Sequence, residues 1–173
     1  MILPIVAYGS NILRRICDPV THQTPALPQL TLDMWDTLRR AGGVGLAAPQ
    51  LGKALRLFVI NSETHDFRQA FLNPVIIDQS ETMTTDTEGC LSIPGIWEDI
   101  SRPESILIRY EDENFIFREN AFHGDLARMI QHEYDHINGK LMIDYLPPLR
   151  KQLLQHKLKM ISTGKIRAPY PMK

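Results

Sequence analysis

Long apolar runs, cysteines and a leading basic segment are scarce in this sequence, and each scarcity excludes a class of protein. No apolar run approaches the ~20 residues that cross a bilayer, so we expect no membrane partner. The apolar opening from Met1 to Gly9 is short, lacks a leading positive charge and contains Pro4, which is not typical of a signal peptide. Two cysteines, Cys17 and Cys90, allow at most one disulfide, and without a signal segment we expect a reducing cytoplasm.

Acidic residues are absent from the last part of the chain. From Leu149 to Lys173 there are seven bases and no acid, so this segment carries +7. The residues before it hold the other 12 bases (19 − 7) and all 20 acids, which gives −8. A basic tail on an acidic body favours an anionic partner such as RNA. A solvated helix with a frayed end explains the same charges, and composition alone leaves both interpretations open.

Length and apolar periodicity predict the fold. The chain of 173 residues has the size of one ordinary domain, so we predict a single domain over residues 1–173 with a basic C-terminal helix and tail from about 147. One helix is predicted from Leu27 to Ala41 before Gly42, and a second from about Gly124 to Asn138. A third enters through Pro147 and Pro148 and shows an apolar stripe of Leu149, Leu153, Leu154, Leu158 and Ile161.

Several short apolar runs predict strands between these helices. They are "LRLFVIN", "AFLNPVII" with its interrupting Pro74, and "ESILIRY" with "NFIFRE", which the polar "EDE" joins as a hairpin. Strands and helices do not alternate as βαβ units. We therefore predict an α+β fold of mostly antiparallel short sheets, packed around a central metal-binding helix, with an N-terminal and a C-terminal helix.

The strongest chemical signal lies on the second predicted helix, in "QHEYDHING". His132 and His136 are four residues apart and share one helical face, so both imidazoles can reach one metal ion. Glu133 lies beside them on a largely apolar helix, where an unpaired buried carboxylate would be costly without a function. The H-E-x-x-H pattern therefore predicts a catalytic metal site.

Two histidines leave the third metal ligand to be found. Metzincins place a histidine where this chain has Met142, and between Ile137 and Lys173 the only acid is Asp144 and the only histidine is His156. An upstream ligand is therefore favoured, and the thiol of Cys90 in "EGCLS" is the best candidate. From its local sequence alone, Cys90 is more often a small buried core residue, the commonest role of a free cysteine, and Cys17 keeps that interpretation.

Three motifs together resemble the peptide deformylase family, in this order and at these separations: "GVGLAAPQ" (Gly43 to Gln50), "EGCLS" (Glu88 to Ser92) and "QHEYDH" (Gln131 to His136). The opening "ILPIVAYGSNILRR" and the later "GKLMIDYL" are also similar to that family. The glycine run of the first motif follows a helix and precedes a strand, unlike a phosphate loop, so we expect no nucleotide cofactor.

The resemblance implies a role for each matching residue. Cys90, His132 and His136 would ligate the metal, Glu133 would be the general acid/base, and Gln50 with the backbone N–H of Leu91 would polarise the substrate carbonyl. Gly45 would let the peptide backbone approach. Val44 and Met129 could line a pocket for the methionine side chain, although Met129 could equally be core.

The resemblance also implies an activity, a metal and partners. The family removes the formyl group from the N-terminal formylmethionine of nascent bacterial proteins and releases formate, by attack of a metal-bound hydroxide on the formyl carbon. It works with Fe²⁺, although Zn²⁺, Ni²⁺ or Co²⁺ can occupy the same ligands. Its C-terminal helix can dock at the ribosome, so the basic tail here implies a ribosomal RNA partner.

Two alternatives and two local questions stay open in the sequence. The chain could be an H-E-x-x-H metallopeptidase with Asp144 as third ligand, or a non-catalytic ribosome-associated relative. Trp97 stands where relatives often carry Arg, and it could be an exposed stacking platform or a packed aromatic. The family pattern also suggests that Arg102 pairs with Asp135 and braces the metal helix.

Overall fold

The computed structural model describes residues 1–166 and 168–173; Arg167, one base of the predicted basic tail, lies outside the described residues. The described residues form three α-helices: α1 (Leu27–Ala41), α2 (Gly124–Ile137) and α3 (Pro148–Ser162). The strands are β1 (Gly45–Ala47), β2 (Leu57–Ser62), β3 (Phe67–Gln79), β4 (Met83–Cys90), β5 (Ile93–Pro103), β6 (Ser105–Glu111) and β7 (Phe117–His123). None of the helices in the described residues is long and apolar enough to cross a membrane.

The strands form one five-stranded sheet and one two-stranded hairpin. The larger sheet has the order β1-β2-β3-β6-β7, and each neighbouring pair is antiparallel. The hairpin pairs β4 with β5, also antiparallel. These sheets and the three helices confirm the predicted α+β fold with mostly antiparallel strands.

Local sequence explains where the first two helices end. Helix α1 ends at Gly42, whose φ of 67° is the left-handed conformation that glycine adopts readily. Helix α2 is followed by Gly139 at φ 73°, and a Cβ there would lie 2.6 Å from the backbone oxygen of Arg14. The close approach of this loop to the N-terminal segment therefore requires glycine.

Helix α2 lies between the five-stranded sheet and the hairpin, as the central helix that the sequence predicts. It contacts β1, β2, β6 and β7 on one side and β5 on the other. Its apolar side chains pack into a core cluster with residues of the sheet: Phe58, Ile60, Phe71, Ile106, Ile108, Ala127, Ile130 and Ile137. Burial of this face holds the predicted metal ligands of α2 at the centre of the molecule.

The predicted apolar stripe of α3 is only partly buried. Leu158 and Ile161 are buried, but Leu149 and Leu153 are 70% and 67% exposed. The first half of α3 is attached by polar contacts instead, since the Arg150 guanidinium donates to both oxygens of Glu98 on β5, at 2.7 and 2.8 Å. Periodicity predicted the helix correctly, but only its second half covers the core.

Candidate metal centre and substrate pocket

The three predicted metal ligands come together although they lie on two different elements. His132 and His136 project from α2, and Cys90 is the last residue of β4. One ligand atom from each of the three lies within 4.8 Å of the others, and the Cys90 Sγ is 3.3 Å from His136 Nε2. Metal–sulfur and metal–nitrogen bonds are about 2.0–2.3 Å long, so one cation can bridge this triangle.

The neutral state of His136 supports the fit to a cation, and Glu133 beside it carries an unpartnered oxygen. Among the described residues, the buried side-chain atoms without a hydrogen-bond partner are Glu133 Oε2 and His136 Nδ1. Burial, with the positive charge of His132 next in effect, holds the pKa of His136 well below its usual range, so its imidazole is neutral and able to ligate. Burial also raises the pKa of Glu133 to about 7, a value suited to proton transfer near neutrality.

His132 is oriented by Glu88, which sequence reasoning did not single out. Its Nδ1 lies 2.9 Å from Glu88 Oε2, so the other ring nitrogen is directed toward the ligand triangle. Burial lowers the pKa of His132, but Cys90 and Glu88 beside it raise that pKa well above its usual range. Negative surroundings that favour an imidazolium also favour a bound cation.

Glu88 is the hub of a buried ionic network. Arg102 donates to both of its oxygens, at 2.6 and 3.0 Å, and Arg128 donates to Glu88 Oε1 at 2.8 Å. Burial would raise the pKa of Glu88, but hydrogen bonds from His132 and Arg102 lower it to about 2. Glu88 is therefore a carboxylate at every pH at which the protein would work.

The expected contact between Arg102 and Asp135 is present. Arg102 Nη1 donates to Asp135 Oδ2 at 2.8 Å, and the Tyr145 hydroxyl donates to the same oxygen at 2.9 Å. Arg102 thus connects the β4–β5 hairpin, through Glu88, with the metal-bearing helix through Asp135. That this contact braces the helix remains a hypothesis.

Gln50 is held with its amide NH₂ facing the metal ligands. Its Oε1 accepts the backbone N–H of Ala47 at 2.8 Å, which fixes which end of the amide is oxygen. Its Nε2 lies 3.2 Å from the Ser92 hydroxyl and 3.7 Å from the Cys90 sulfur. Gln50 is 1% exposed, so this donor is preorganised and buried beside the site.

A pocket of about 490 Å³ opens beside the ligand triangle. All residues of the predicted site except His136 line this pocket: Val44, Gly45, Gln50, Cys90, Leu91, Met129, His132 and Glu133. The predicted ligand His136 is buried and does not line it. Val44 is 48% exposed at the rim, whereas Met129 is partly buried and also packs against a core cluster, so both interpretations of Met129 apply.

Two glycines of the pocket are required by their neighbours. A Cβ on Gly45 would lie 2.5 Å from Glu133 Oε1, so a side chain at this position would displace the acid/base candidate. A Cβ on Gly89 would lie 2.6 Å from the ring of Trp97. Trp97 is 68% exposed and lies over Gly89 at the pocket wall, so it is an exposed platform and not a packed core aromatic.

The alternative ligands lie elsewhere. Asp144 accepts from both terminal nitrogens of Arg14, at 2.5 and 3.1 Å, and is not part of the ligand triangle. His156 is exposed on α3. Cys17 is a buried free thiol outside the triangle, and burial raises its pKa to about 11. This arrangement does not favour a metallopeptidase site built on Asp144.

Sequence reasoning missed Tyr170 as well as Glu88. Tyr170 lines the pocket from the C-terminal tail, and its hydroxyl donates to the backbone oxygen of Leu91 at 2.9 Å. The only available signal for Glu88 was its position two residues before Cys90. No local pattern indicates a contact between positions as distant as Leu91 and Tyr170.

Comparisons with known proteins agree over nearly the whole chain. The family whose sequence model matches residues 2–152 is described as polypeptide deformylase. The peptide deformylase of Christiangramia forsetii is 42% identical, with 100% of this chain and 96% of that protein aligned. The peptide deformylase of Salinibacter ruber is also 42% identical, with 99% and 94% aligned.

Solved structures are similar as well. The peptide deformylase of Legionella pneumophila superposes with a TM-score of 0.87 at 37% identity, over 98% of this chain and 100% of that chain. The peptide deformylase of Thermus thermophilus gives a TM-score of 0.88 at 36% identity, over 95% and 99%.

Proposed function

The chain belongs to the polypeptide deformylase family of hydrolases, and on that premise we propose that it removes the N-formyl group from N-terminal formylmethionine of nascent polypeptides and releases formate. The observation that carries this proposal is the convergence of Cys90, His132 and His136 beside the buried Glu133, at the base of a pocket. Residues 1–173 would form one catalytic domain.

A divalent metal is implied by the family, and Cys90, His132 and His136 would hold it. When bound, the metal acts as a Lewis acid that makes water nucleophilic at neutral pH. Fe²⁺ is the proposed metal in the cell, and Zn²⁺, Ni²⁺ or Co²⁺ suit the same sulfur and nitrogen donors. The hydrogen bond between His132 and Glu88 would keep the ring in the ligating orientation.

Glu133 would move the proton. Its burial and its pKa of about 7 let it accept a proton from the attacking water and return it to the departing amine. Oε2 of Glu133 has no other partner within the described residues, so this oxygen is available for the transfer. Both steps need the carboxylate close to the reacting carbon, and the absence of a side chain at Gly45 makes room for it.

Two donors would stabilise the formyl oxygen as it gains negative charge. Gln50 offers Nε2, whose direction is fixed by the bond between its Oε1 and the Ala47 N–H, and Leu91 offers its main-chain N–H. Each such preorganised donor contributes ~2.7–4 kcal/mol in other acyl-transfer sites. Val44 and Met129 would contact the methionine side chain, and Gly45 would admit the peptide backbone.

The basic C-terminal segment is proposed to contact ribosomal RNA. Some of its charge is already engaged, because Arg150 binds Glu98 and Lys151 donates to the Asp144 backbone oxygen at 2.8 Å. Lys159 is exposed on α3 and Lys165 is exposed beyond it. Binding of the protein to ribosomal RNA that weakens steeply as salt concentration rises would support this partner, and binding that does not depend on salt would contradict it.

Formate release from a formyl-methionyl peptide tests the proposed function directly. We expect Glu133→Gln to retain its metal and lose about 10²–10⁴-fold in kcat, since it removes the proton-transferring group. Asp144→Asn is the matched acid-to-amide control and should keep wild-type activity. Full turnover by Glu133→Gln, or none by the wild-type protein loaded anaerobically with Fe²⁺, would refute the proposal.

Metal content tests the ligand set separately from activity. Cys90→Ser should lose bound metal, because a hydroxyl is a much poorer ligand than a thiolate. Cys17→Ser changes a second buried thiol outside the site and should retain full metal occupancy. Equal metal content in the two variants would remove Cys90 from the ligand set.

A further inference from the structure

The tail after α3 returns to the N-terminal segment and pairs with it. Ile5 and Met172 form a parallel bridge. The N–H of Ile5 donates to Pro171 O, the N–H of Lys173 donates to Ile5 O, and the N–H of Ala7 donates to Lys173 O, each at 2.9 Å. These bonds fix the tail along one edge of the N-terminal segment.

The opposite edge of the same segment holds the two loops that carry the proposed carbonyl-polarising groups. The N–H of Val6 donates to Gln50 O at 2.7 Å, and the N–H of Tyr8 donates to Ser92 O at 2.8 Å. Residues 5 and 7 thus bind the tail while residues 6 and 8 bind the catalytic loops, as alternation along an extended segment requires. The tail and the loops are connected through one strip of chain.

Tyr170 crosses this strip and contacts the catalytic loop directly. Its hydroxyl donates to Leu91 O at 2.9 Å, and its ring packs against the largest core cluster while lining the pocket together with Pro169. Burial, with the charge of Cys90 next in effect, raises the pKa of Tyr170 to about 12, so the hydroxyl remains a donor at neutral pH.

The contact constrains the atom proposed to bind the formyl oxygen. Leu91 follows the metal ligand Cys90, which fixes its N-terminal side. On its C-terminal side, the Leu91 carbonyl is held by Tyr170 and the next carbonyl, of Ser92, is held by the Tyr8 N–H. With both sides anchored, the Leu91 N–H has little rotational freedom, which is the requirement for a preorganised donor.

We propose that Tyr170 is a positioning residue, which fixes the main chain of Leu91 through its hydroxyl and forms one wall of the substrate pocket through its ring. The inference rests on the proposed function for the role of the Leu91 N–H. The family model matches residues 2–152, and Tyr170 lies beyond that range.

Kinetics of Tyr170→Phe test the positioning role. Removing one hydrogen bond of ordinary strength should lower kcat about five-fold, and KM should change less than about two-fold because the hydroxyl contacts main chain and not substrate. Tyr170→Ala should also raise KM, since it removes the pocket wall. Tyr8→Phe is the control, because within the described residues the Tyr8 hydroxyl makes no hydrogen bond, and it should behave as wild type.

Amide hydrogen exchange gives a readout independent of turnover. Tyr170→Phe should accelerate exchange at the Tyr8 amide, whose N–H is bonded to Ser92 O, at least several-fold and with no change in circular dichroism. Tyr8→Phe should leave exchange at position 8 unchanged. The inference requires both effects. If kcat fell while exchange was unchanged, the Tyr170 hydroxyl would act on the substrate instead. If exchange became faster while kcat was unchanged, Leu91 would have no part in catalysis. Either result overturns the inference.

The two proposals fail in different ways. An inactive wild-type protein whose Tyr170→Phe variant still shows faster exchange at the Tyr8 amide would refute the proposed function and leave the structural contact intact. An active wild-type protein whose Tyr170→Phe variant matches it in both kcat and exchange would refute the positioning role alone.

Discussion

Helix α2 has two sides that are packed by opposite means. Toward the five-stranded sheet it buries apolar side chains such as Ile130 and Ile137 against Phe58 and Phe71. Toward the β4–β5 hairpin it buries charge, in a network of Glu88, Arg102, Arg128, His132, Asp135 and Tyr145. The proposed metal ligands lie at the junction of the two sides.

The two kinds of packing have different roles: the apolar side holds helix α2 in place, and the charged side orients the side chains of its proposed ligands. Apolar burial is non-directional and fixes the helix in place without setting the rotation of a side chain. Buried charge contributes little net stability after desolvation, but each hydrogen bond has a direction. The hairpin side therefore orients His132 through Glu88, and the sheet side supplies most of the packing energy.

The largest effect is expected from Glu88→Gln. The change removes the carboxylate that Arg102 and Arg128 share and leaves Arg102 with Asp135 alone, so the free energy of unfolding should fall by ~3–5 kcal/mol. Loss of the His132 partner should also weaken metal affinity about 10–100-fold. Denaturant unfolding and metal titration measure the two effects. Glu119→Gln, at an exposed pair with Arg109, is the control, and an equally small change in both variants would contradict the network.

On the sheet side, Ile130→Val should produce a smaller loss of a different kind. Deleting one buried methyl group should lower the free energy of unfolding by ~0.5–1.5 kcal/mol. Metal affinity should be unchanged, because no ligand depends on that contact for its direction. If Ile130→Val weakened metal binding as strongly as Glu88→Gln, the two sides of α2 would not differ in the way described.

The smallest effect is expected at the exposed ion pair of Arg14 with Asp144. Their side chains are 42% and 37% exposed, so Arg14→Met should cost no more than ~1 kcal/mol. Partial burial raises the pKa of Asp144, but the hydrogen bond from Arg14 lowers it below its ordinary value. A lowered carboxylate pKa stabilises the fold above the unfolded pKa, about 3.9, and this contribution disappears as pH falls through the folded pKa. Stability of the variant and of wild type should therefore differ near pH 7 and converge as the pH falls below the folded-state pKa of Asp144, which lies under its ordinary value. A constant difference across that range would show that the effect is not electrostatic.

Local sequence predicted the helices and the strands that contain runs of apolar residues, but not strand β5, whose burial alternates. Helix α1, helix α2 and strand β6 were foreseen because one face of each packs on the core. Strand β7 was foreseen from its apolar residues, although it is almost wholly exposed. Strand β4 was not foreseen, because "MTTDTEGC" has few apolar positions and its early residues are mostly exposed. The spacing of apolar residues predicted helix α3 correctly. Such spacing indicates which side chains share one face of a helix, but it does not indicate whether another element packs on that face.

In the candidate site, too, residues with a local sequence pattern were predicted and residues whose contacts are distant in the chain were not. Spacing alone placed His132 and His136 on one helical face, while Cys90 was identified mainly through the family resemblance. Glu88 and Tyr170 could not be found, since their partners are 44 and 79 residues away in the chain. Contacts of that range depend on the assembled fold and leave no local pattern.

The pairing of Ile5 with Met172 has a consequence for the order of folding. These residues are 167 positions apart (172 − 5), so their contact closes one of the longest loops available to the chain. Contacts of such separation tend to form after the local ones are in place. The loops carrying Gln50 and Leu91 would then consolidate last and loosen first. During mild denaturation, turnover should be lost before the helical circular dichroism signal declines.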